Sequence, residues 1–254
     1  MNIAIITGAS SGLGAEFAEQ LANKEKPDEL WLIARREERL RALAERLPVK
    51  CRVLPLDVTD SEAMEGFRKM LKEEKPNVRT LIVAAGMGKI GTYRDIDRKA
   101  ALAMVRLNCE AAVDMTESVL PYMERGARIL EIASTSAFQP LQGLNIYAAT
   151  KAFLLRYSRG LGAELLPRRI RVTAVCPYWI KDTEFIPVAK ETESAAVRHF
   201  PLASKRKNVA AASLLASRLG FPVCTPGVIC TLHRIVSVLP DSALMLGWEG
   251  IRRV

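Results

Sequence analysis

Short runs of apolar residues alternate with longer amphipathic stretches along almost the whole chain of 254 residues. The short runs are apolar at consecutive positions, which is typical of strands in a parallel sheet that is covered by helices on both faces. The longer stretches repeat apolar residues at intervals of three and four, which indicates helices packed on such a sheet. The pattern predicts a single α/β domain over residues 1–254, with a doubly wound parallel sheet and a ligand site at the carboxyl ends of its strands.

Seven strands and at least five helices are predicted from this pattern. The predicted strands are Asn2–Ile6, Glu29–Ala34, Cys51–Leu56, Thr80–Ala84, Ala127–Ile132, Ile170–Cys176 and, weakly marked, Pro222–Thr225. The predicted helices are Gly12–Asn23, Glu37–Arg46, Ser61–Glu74, Lys99–Glu124 and Ile146–Leu165. Residues 178–200 break the rhythm, and we expect a lid over the ligand site there; a surface excursion without a substrate role is the alternative.

Composition and charge narrow the class of protein. The net charge of +9 favours anionic partners, but the basic residues are scattered without interleaved aromatic residues, so no nucleic-acid partner is expected. The five cysteines lack the spacing of metal ligands, so no metal site is expected. The chain opens on an apolar strand without a basic leader, and no run reaches the roughly 20 apolar residues of a spanning helix. These features predict a cytoplasmic protein.

A glycine-rich turn, TGASSGLG, follows the first predicted strand and leads into a helix. Glycine lets the backbone turn sharply and approach a pyrophosphate, whose charge is then held by amide groups at the start of the helix. Serine hydroxyls in the turn can donate further hydrogen bonds to phosphate oxygens. The residues expected to bind a dinucleotide in this turn are Gly8, Ser10, Ser11, Gly12, Leu13 and Gly14.

The ends of the second and third strands indicate which dinucleotide is bound. An NAD site offers a carboxylate after the second strand, but here Ala34 stands at that position and Arg35 follows it. A guanidinium suits the 2′-phosphate of NADP, so Arg35 predicts NADP(H), whereas Arg36 is expected only to pair with a glutamate of the next helix. Asp57, after the third strand, is either an acceptor for the adenine amino group or part of the next helix cap.

A serine, a tyrosine and a lysine form a candidate acid–base set. Ser134 closes the fifth strand, and Tyr147 and Lys151 lie four residues apart, hence on one face of a helix. A free phenol has a pKa near about 10, and a neighbouring ammonium is expected to lower it. Tyr147 would then be the general acid when a ketone is reduced and the general base when an alcohol is oxidised, while Ser134 holds the substrate oxygen.

Together these motifs resemble the short-chain dehydrogenase/reductase family. The resemblance spans Asn2 to about Phe185 and rests on the glycine turn, Leu56–Thr59, Asn108, Ile132–Ser134 and Tyr147–Phe153. It implies a Rossmann-like domain and an NADP(H)-dependent oxidoreductase whose catalytic residues are Ser134, Tyr147, Lys151 and Asn108. By this resemblance Asn108 holds a water that links Lys151 to bulk solvent.

The resemblance also implies further contacts and marks departures from the family pattern. Beyond the turn, the implied cofactor-binding residues are Arg35, Asp57, Val58, Gly86, Tyr147, Lys151 and Thr183. Val83 and Ala84 stand where the family usually has two asparagines, and the threonine near the nicotinamide is shifted by about one residue. Tyr178 also stands after Pro177 where the family usually has glycine, and the Val83, Ala84 and Tyr178 positions favour the alternative that the chain is a catalytically silent NADP-binding sensor or scaffold. The resemblance implies a homodimer or homotetramer that pairs through helices 99–124 and 146–165.

The segments near the catalytic tyrosine and the C-terminus carry the remaining expectations. Seven residues are expected to ring the tyrosine: Phe138, Leu141, Leu144, Tyr178, Trp179, Phe185 and Ile186. Such a lining predicts a small, largely apolar carbonyl or alcohol substrate.

The C-terminal extension, residues 226–254, predicts a short atypical helix that packs on a partner subunit or on its own core, with docking on a membrane surface as the alternative. His199 and His233 are expected to have no special role.

Overall fold

The structure, a computed structural model, describes residues 1–192 and 202–253. Its strands are β1 (Asn2–Thr7), β2 (Glu29–Ala34), β3 (Lys50–Pro55), β4 (Asn77–Val83), β5 (Arg128–Ile132), β6 (Arg171–Val175) and β7 (Val223–Cys224). All seven are parallel and form one sheet in the order β3-β2-β1-β4-β5-β6-β7. The predicted doubly wound α/β sheet is therefore confirmed.

Helices cover both faces of this sheet. They are α1 (Gly12–Lys24), α2 (Glu37–Ala44), α3 (Ser61–Glu74), α4 (Arg98–Val105), α5 (Ala111–Val119), α6 (Asn145–Glu164), α7 (Phe185–Ala189), α8 (Arg206–Leu219), α9 (Val228–Val236) and α10 (Asp241–Arg253). Alternate β1 residues enter two separate cores: Ile3 and Ile5 pack with α3, α5 and α6, whereas Ala4 and Ile6 pack with α1, α2 and α8. Burial on both faces explains why β1 and β2 are apolar at consecutive positions along most of their length.

The predicted helix Lys99–Glu124 is interrupted in the structure. A π-helical turn, Arg106–Glu110, separates α4 from α5, and a 3-10 turn, Leu120–Tyr122, follows α5. The wider turn carries Asn108, whose side chain both donates to and accepts from the backbone of Met87. These bonds tie the turn to the loop after β4, which gives a physical reason for the break.

The predicted lid is described only up to residue 192, and residues 193–200, with His199, lie outside the described residues. Its described part folds over the sheet end and contains α7, whose Phe185 ring lies 5.5 Å from the Tyr147 ring. The lid interpretation is therefore favoured over a surface excursion.

The C-terminal extension contains two helices, α9 and α10, where the sequence predicted one short helix. In α9 only Cys230 is buried, while Val228, Leu232 and Ile235 are mostly exposed. Of the two predicted packings, contact with the chain's own core holds for Cys230 but not for most of the apolar stripe, and packing on a partner subunit stays a prediction. Among the helices of the described ranges, none is both long enough and apolar enough to span a bilayer.

Thr7 is a buried tie between β1 and β4 at the site end of the sheet. Its hydroxyl accepts hydrogen bonds from the backbone amides of Ala84 and Ala85, both at 3.0 Å. Thr7→Val keeps the shape but leaves two buried donors without this partner, so we expect unfolding free energy to fall by about 2–4 kcal/mol. Urea unfolding measures the change. Thr7→Ser, which keeps the hydroxyl, is the control, and a valine variant as stable as the wild type would contradict the assignment.

Candidate active site

A cavity of about 770 Å³ opens at the carboxyl ends of the strands, which is the predicted location of the ligand site. It is lined by the turn after β1, the ends of β2 to β5 and the start of the lid. The predicted site residues on its wall are Gly8, Ser10, Ser11, Gly12, Leu13, Gly14, Arg35, Asp57, Val58, Gly86, Ser134, Tyr147, Lys151 and Thr183. Asn108 alone among the predicted residues does not line it.

The glycine turn is built by close backbone packing. Gly8 has a φ of +67°, and a Cβ there would lie 2.9 Å from the backbone of Ala84. A Cβ on Gly14 would lie only 2.3 Å from the carbonyl oxygen of Gly8, so any side chain at either position would displace the turn. Helix α1 starts at Gly12, and its first amides lack helical partners, as the amides at every helix start do. The turn therefore presents a close backbone and unpaired donors to an anion.

The two arginines after β2 take different positions. Arg35 is exposed and lies 3.8 Å from the Asp57 carboxylate. Arg36 crosses the turn: it donates to the hydroxyls of Ser10 and Ser11, at 3.2 Å and 2.7 Å, and to Glu184 of the lid at 2.9 Å. The prediction that Arg36 pairs with a glutamate of α2 is therefore wrong, because the Arg36 side chain extends over the glycine turn instead.

Glu184 and Asp57 complete the charged rim of the cavity. Arg39 and Arg36 both bind Glu184 and hold the pKa of its carboxyl at about 2. Asp57 accepts from the backbone amide and the hydroxyl of Thr59, at 2.9 Å and 2.7 Å. The cap of α3 is Asp60, which accepts from two amides of that helix. Asp57 therefore does not cap α3, and the cofactor interpretation remains for it.

Ser134, Tyr147 and Lys151 meet on one wall of the cavity. Ser134 follows β5, and its hydroxyl accepts from the amide of Ser136 at 3.2 Å. Helix α6 carries the other two on one face, and the Lys151 ammonium lies 5.8 Å from the centre of the Tyr147 ring. Lys151 also donates to the carbonyl oxygen of Ile132 at 2.7 Å, which anchors it to the end of β5. All three side chains are nearly buried.

Burial dominates the protonation of this set. It raises the pKa of Tyr147 to about 12, although the hydrogen bond with Ser134 opposes the rise. Burial also lowers the pKa of Lys151 to about 8, against the attraction of the Glu131 carboxyl. The expected lowering of the phenol pKa is thus not found, because loss of water around the buried phenol is the largest influence on it. At neutral pH Tyr147 keeps its proton and Lys151 is mostly charged.

Asn108 lies behind the cavity wall. Its amide group donates to the carbonyl of Met87 at 2.8 Å and to the Thr150 hydroxyl at 3.0 Å, and its oxygen accepts from the amide of Met87 at 2.9 Å. A Cβ on Gly86 would lie 3.2 Å from the Asn108 oxygen and 3.3 Å from the Lys151 nitrogen. Asn108 therefore sits beside Lys151 and fixes the loop after β4, while its part in a proton relay stays a proposal.

The substrate end of the cavity differs in part from the prediction. Leu141, Leu144, Tyr178, Trp179 and Phe185 line it together with Tyr147, as expected. Phe138 and Ile186 do not line this cavity: Phe138 packs edge-on against His233, and Ile186 faces a separate groove.

His233 and Thr183 also take positions that the sequence left open or missed. His233 of α9 lines the cavity, contacts the Gln139 side chain and meets the ring of Tyr178, a position that the sequence did not predict. No spacing signal links it to the site, because it reaches the cavity only through the tertiary packing of α9. Thr183 donates to the carbonyl of Ile180 at 3.1 Å and faces Gly12 across the cavity.

The arrangement fits a dinucleotide cofactor. A doubly wound parallel sheet binds such ligands at the carboxyl ends of its strands, with the pyrophosphate at the glycine turn. Here the close backbone at Gly8 and Gly14, the hydroxyls of Ser10 and Ser11, and Gly86, which has no side chain to fill the space before Lys151, lie along one continuous cavity. Fold and site together define a dinucleotide-binding domain with an acid–base set at its inner end.

Comparison with known proteins gives the family. The short chain dehydrogenase family profile matches residues 2–194, and the chain belongs to this family. It is 34% identical over 204 residues to sulfoacetaldehyde reductase 2 of Chromohalobacter salexigens, which covers 77% of this chain and 79% of the relative. A solved short-chain dehydrogenase of Sphingobium yanoikuyae in complex with NADPH superposes with a TM-score of 0.79 at 29% identity, over 94% of this chain and 93% of that one.

A second solved structure is similar over most of its length. The bulky-bulky ketone specific alcohol dehydrogenase of Comamonas testosteroni has a TM-score of 0.74 and 29% identity, over 90% of this chain and 87% of that one. These relatives differ in the substrates that their names state, one a small sulfonated aldehyde and the other a bulky ketone. The family membership of this chain is therefore firm, whereas its substrate has to be argued from the site.

Proposed function

We propose that this chain is an NADP(H)-dependent oxidoreductase that interconverts a ketone or aldehyde and an alcohol on a small, largely apolar substrate. The observation that carries the proposal is the meeting of Ser134, Tyr147 and Lys151 on the wall of the cavity that the glycine turn also lines. Chance surface pairs of tyrosine and lysine lie in water, whereas this set is buried at the ligand end of the sheet.

The three side chains divide the acid–base work. When bound, the nicotinamide supplies or accepts the hydride. Tyr147 holds a proton at neutral pH and donates it to the substrate oxygen in reduction. The Ser134 hydroxyl orients that oxygen and shares its developing charge. The Lys151 ammonium stabilises the Tyr147 phenolate as it forms, because the two lie on one face of α6 in a dry environment.

Cofactor choice follows from the arginines at the end of β2. Arg35 and Arg36 both line the cavity, and no carboxylate stands at Ala34. A guanidinium makes charge-assisted hydrogen bonds to a 2′-phosphate, which supports NADP(H) over NAD(H). The similar structure from Sphingobium yanoikuyae, which contains NADPH, supports the same cofactor.

The substrate end favours an apolar ligand. Met87, Leu141, Leu144, Trp179 and Phe185 belong to one apolar cluster around Tyr147. Binding an apolar ligand to such a wall is favourable because the ligand's surface is removed from water. A sulfonate would find few charged or hydrogen-bonding partners there. A small apolar ketone therefore suits the cavity better than a sulfonated aldehyde does.

A silent sensor or scaffold remains the second candidate because Val83 and Ala84 depart from the family pattern. The Thr7 hydroxyl bonds the amides of Ala84 and Ala85, which braces the sheet at this point by another route. The departure therefore does not remove the site geometry. NADPH binding without turnover on a broad panel of ketones would favour the sensor.

Two further proposals follow from the sequence. We propose a homodimer or homotetramer that pairs through the faces of α4 to α6, where Leu102, Val105 and Phe153 are exposed. A cytoplasmic location is proposed as well, since a reducing compartment suits the five free cysteines.

Removing the Tyr147 hydroxyl tests the enzyme assignment directly. We expect Tyr147→Phe to lower kcat for acetophenone reduction by about 10²- to 10⁴-fold, the usual worth of a positioned general acid. NADPH binding, measured by fluorescence titration, should change little. Tyr157→Phe, the same loss of a hydroxyl on the same helix but outside the cavity, is the control. A Tyr147→Phe variant with full turnover would contradict the assignment.

The pH profile of reduction tests the role of Lys151. Below its pKa of about 8 the ammonium is present, and above it the charge is lost. We therefore expect kcat/KM for ketone reduction to be flat on the acid side and to fall as pH rises through about 8. A profile that stays flat up to the range of an exposed lysine would contradict this role.

The arginine prediction is tested by cofactor affinity. We expect Arg35→Gln to raise the Kd for NADPH by about 10- to 100-fold, the equivalent of one charged hydrogen bond, and to leave the Kd for NADH nearly unchanged. Arg41→Gln, on α2 outside the cavity wall and paired with Glu37 of the same helix, is the matched control. Equal losses for both cofactors would contradict recognition of the 2′-phosphate by Arg35.

A further inference from the structure

Two arginines hold one glutamate of the lid at the rim of the cavity. Glu184 lies just before α7, and its two carboxylate oxygens accept hydrogen bonds from two different guanidinium groups. One oxygen lies 2.9 Å from Arg36, which follows β2, and the other lies 2.5 Å from Arg39 of α2. The pair of arginines therefore binds a carboxylate through both of its oxygens.

The Arg36 guanidinium also covers the glycine turn. Its Nη1 donates to Glu184, whereas its Nη2 donates to the hydroxyls of Ser10 at 3.2 Å and Ser11 at 2.7 Å. Its Nε donates to the Ser10 hydroxyl as well, at 3.3 Å. A single cation thus connects the lid glutamate to the two hydroxyls that are expected to meet the phosphates of the cofactor.

These arginines have the chemistry of a phosphate site. A guanidinium makes charge-assisted hydrogen bonds to carboxylate and phosphate oxygens alike. In a doubly wound sheet, the residue at the end of the second strand meets the ribose, and an arginine near it accommodates a 2′-phosphate. Arg36 stands at that end of the sheet, lines the cavity and binds the Glu184 carboxylate. Glu184 therefore uses a donor that a 2′-phosphate would also attract.

The charge of Glu184 opposes a second anion at the same donors. A phosphate monoester carries about two negative charges at neutral pH, and it repels a carboxylate that is bound to the same guanidinium. Glu184 lines the cavity. The other glutamate of the described lid, Glu191, does not line it and pairs with Lys89 at 2.6 Å. The position of Glu184, rather than lid charge in general, makes it a competitor.

We propose that Glu184 is a specificity-determining residue that competes with the 2′-phosphate of NADP(H) for the Arg36 guanidinium. The competition lowers the affinity for NADP(H) and leaves that for NAD(H), which lacks this phosphate, nearly unaffected. Glu184 thus limits how strongly the site prefers the phosphorylated cofactor. The exchange involves hydrogen bonds only, and no covalent bond forms or breaks. The proposal rests on the proposed function, because it concerns the same cofactor site.

Glu184→Gln tests the competition, because it keeps the shape of the side chain and removes its charge. Ion pairs that are partly exposed are individually weak, so we expect the Kd for NADPH to fall by about three- to tenfold. The Kd for NADH should change by less than about twofold. Fluorescence titration measures both constants. Glu191→Gln, in the same lid but outside the cavity, is the matched control and should leave both constants unchanged.

Two cofactor fragments repeat the comparison without the nicotinamide. Displacement of bound NADPH gives the Kd of 2′,5′-ADP, which carries the 2′-phosphate, and of 5′-AMP, which does not. We expect Glu184→Gln to tighten the binding of 2′,5′-ADP alone. Equal tightening of both fragments would assign the competition to the phosphates at the turn and would overturn the proposal.

A double-mutant cycle separates direct competition from a general effect of charge. In an Arg36→Gln background, Glu184→Gln should no longer tighten NADPH binding, because the shared donors are gone. Equal tightening in both backgrounds, or an unchanged Kd for NADPH in Glu184→Gln, overturns the proposal. If the unchanged variant still reduces ketones, the proposed function stands without it. Selective tightening in a protein without turnover upholds the competition and counts against the proposed function alone.

Discussion

The site depends on one arrangement: the Lys151 ammonium is held out of water against the end of β5, beside Tyr147. A lysine in solution is charged at any physiological pH. The protonation state of a buried lysine near its pKa, by contrast, responds to small changes in the charge of neighbouring groups. The carbonyl of Ile132 fixes the nitrogen, helix α6 aligns it with the phenol, and Glu131 opposes its loss of charge. The fold brings these three constraints together at the place where the strands end.

The rest of the molecule supports this arrangement from two sides. The glycine turn and the arginines after β2 form the anion-binding half of the cavity, and the lid together with the segments after β4 and β5 forms the apolar half. Arg36 and Glu184 join the two halves across the turn, since the arginine bonds both the turn serines and the lid. The lid, which carries the apolar wall, is therefore connected to the region where the phosphates are proposed to bind.

The fold and most of the site could be predicted from local patterns. Runs of consecutive apolar residues predicted the parallel sheet. The order of the motifs predicted that the glycine turn and Ser134 lie at strand ends and that Tyr147 and Lys151 share one helix face. The direction of Arg36 and the approach of His233 depend on contacts between distant segments, for which the chain carries no periodic signal. The protonation of Tyr147 was mispredicted because spacing reveals a charge nearby but not how much water burial removes.

The position of Glu131 in the sequence could have predicted a buried polar interaction. A single acidic residue inside an otherwise apolar, doubly covered strand has no solvent to face, so its position alone indicates a buried polar interaction. What the sequence could not supply is its hydrogen-bond partner, because Thr116 lies on α5, far from Glu131 in the periodic pattern. Only the packing of α5 on the sheet joins the two residues.

The central claim is that burial keeps Tyr147 protonated while its neighbour titrates. Ultraviolet difference titration of the wild type against Tyr147→Phe measures the ionisation of this one phenol. The account predicts no Tyr147 phenolate at neutral pH and ionisation near a pKa of about 12. A Tyr147 phenolate already formed at neutral pH would contradict it, because the ammonium would then outweigh burial.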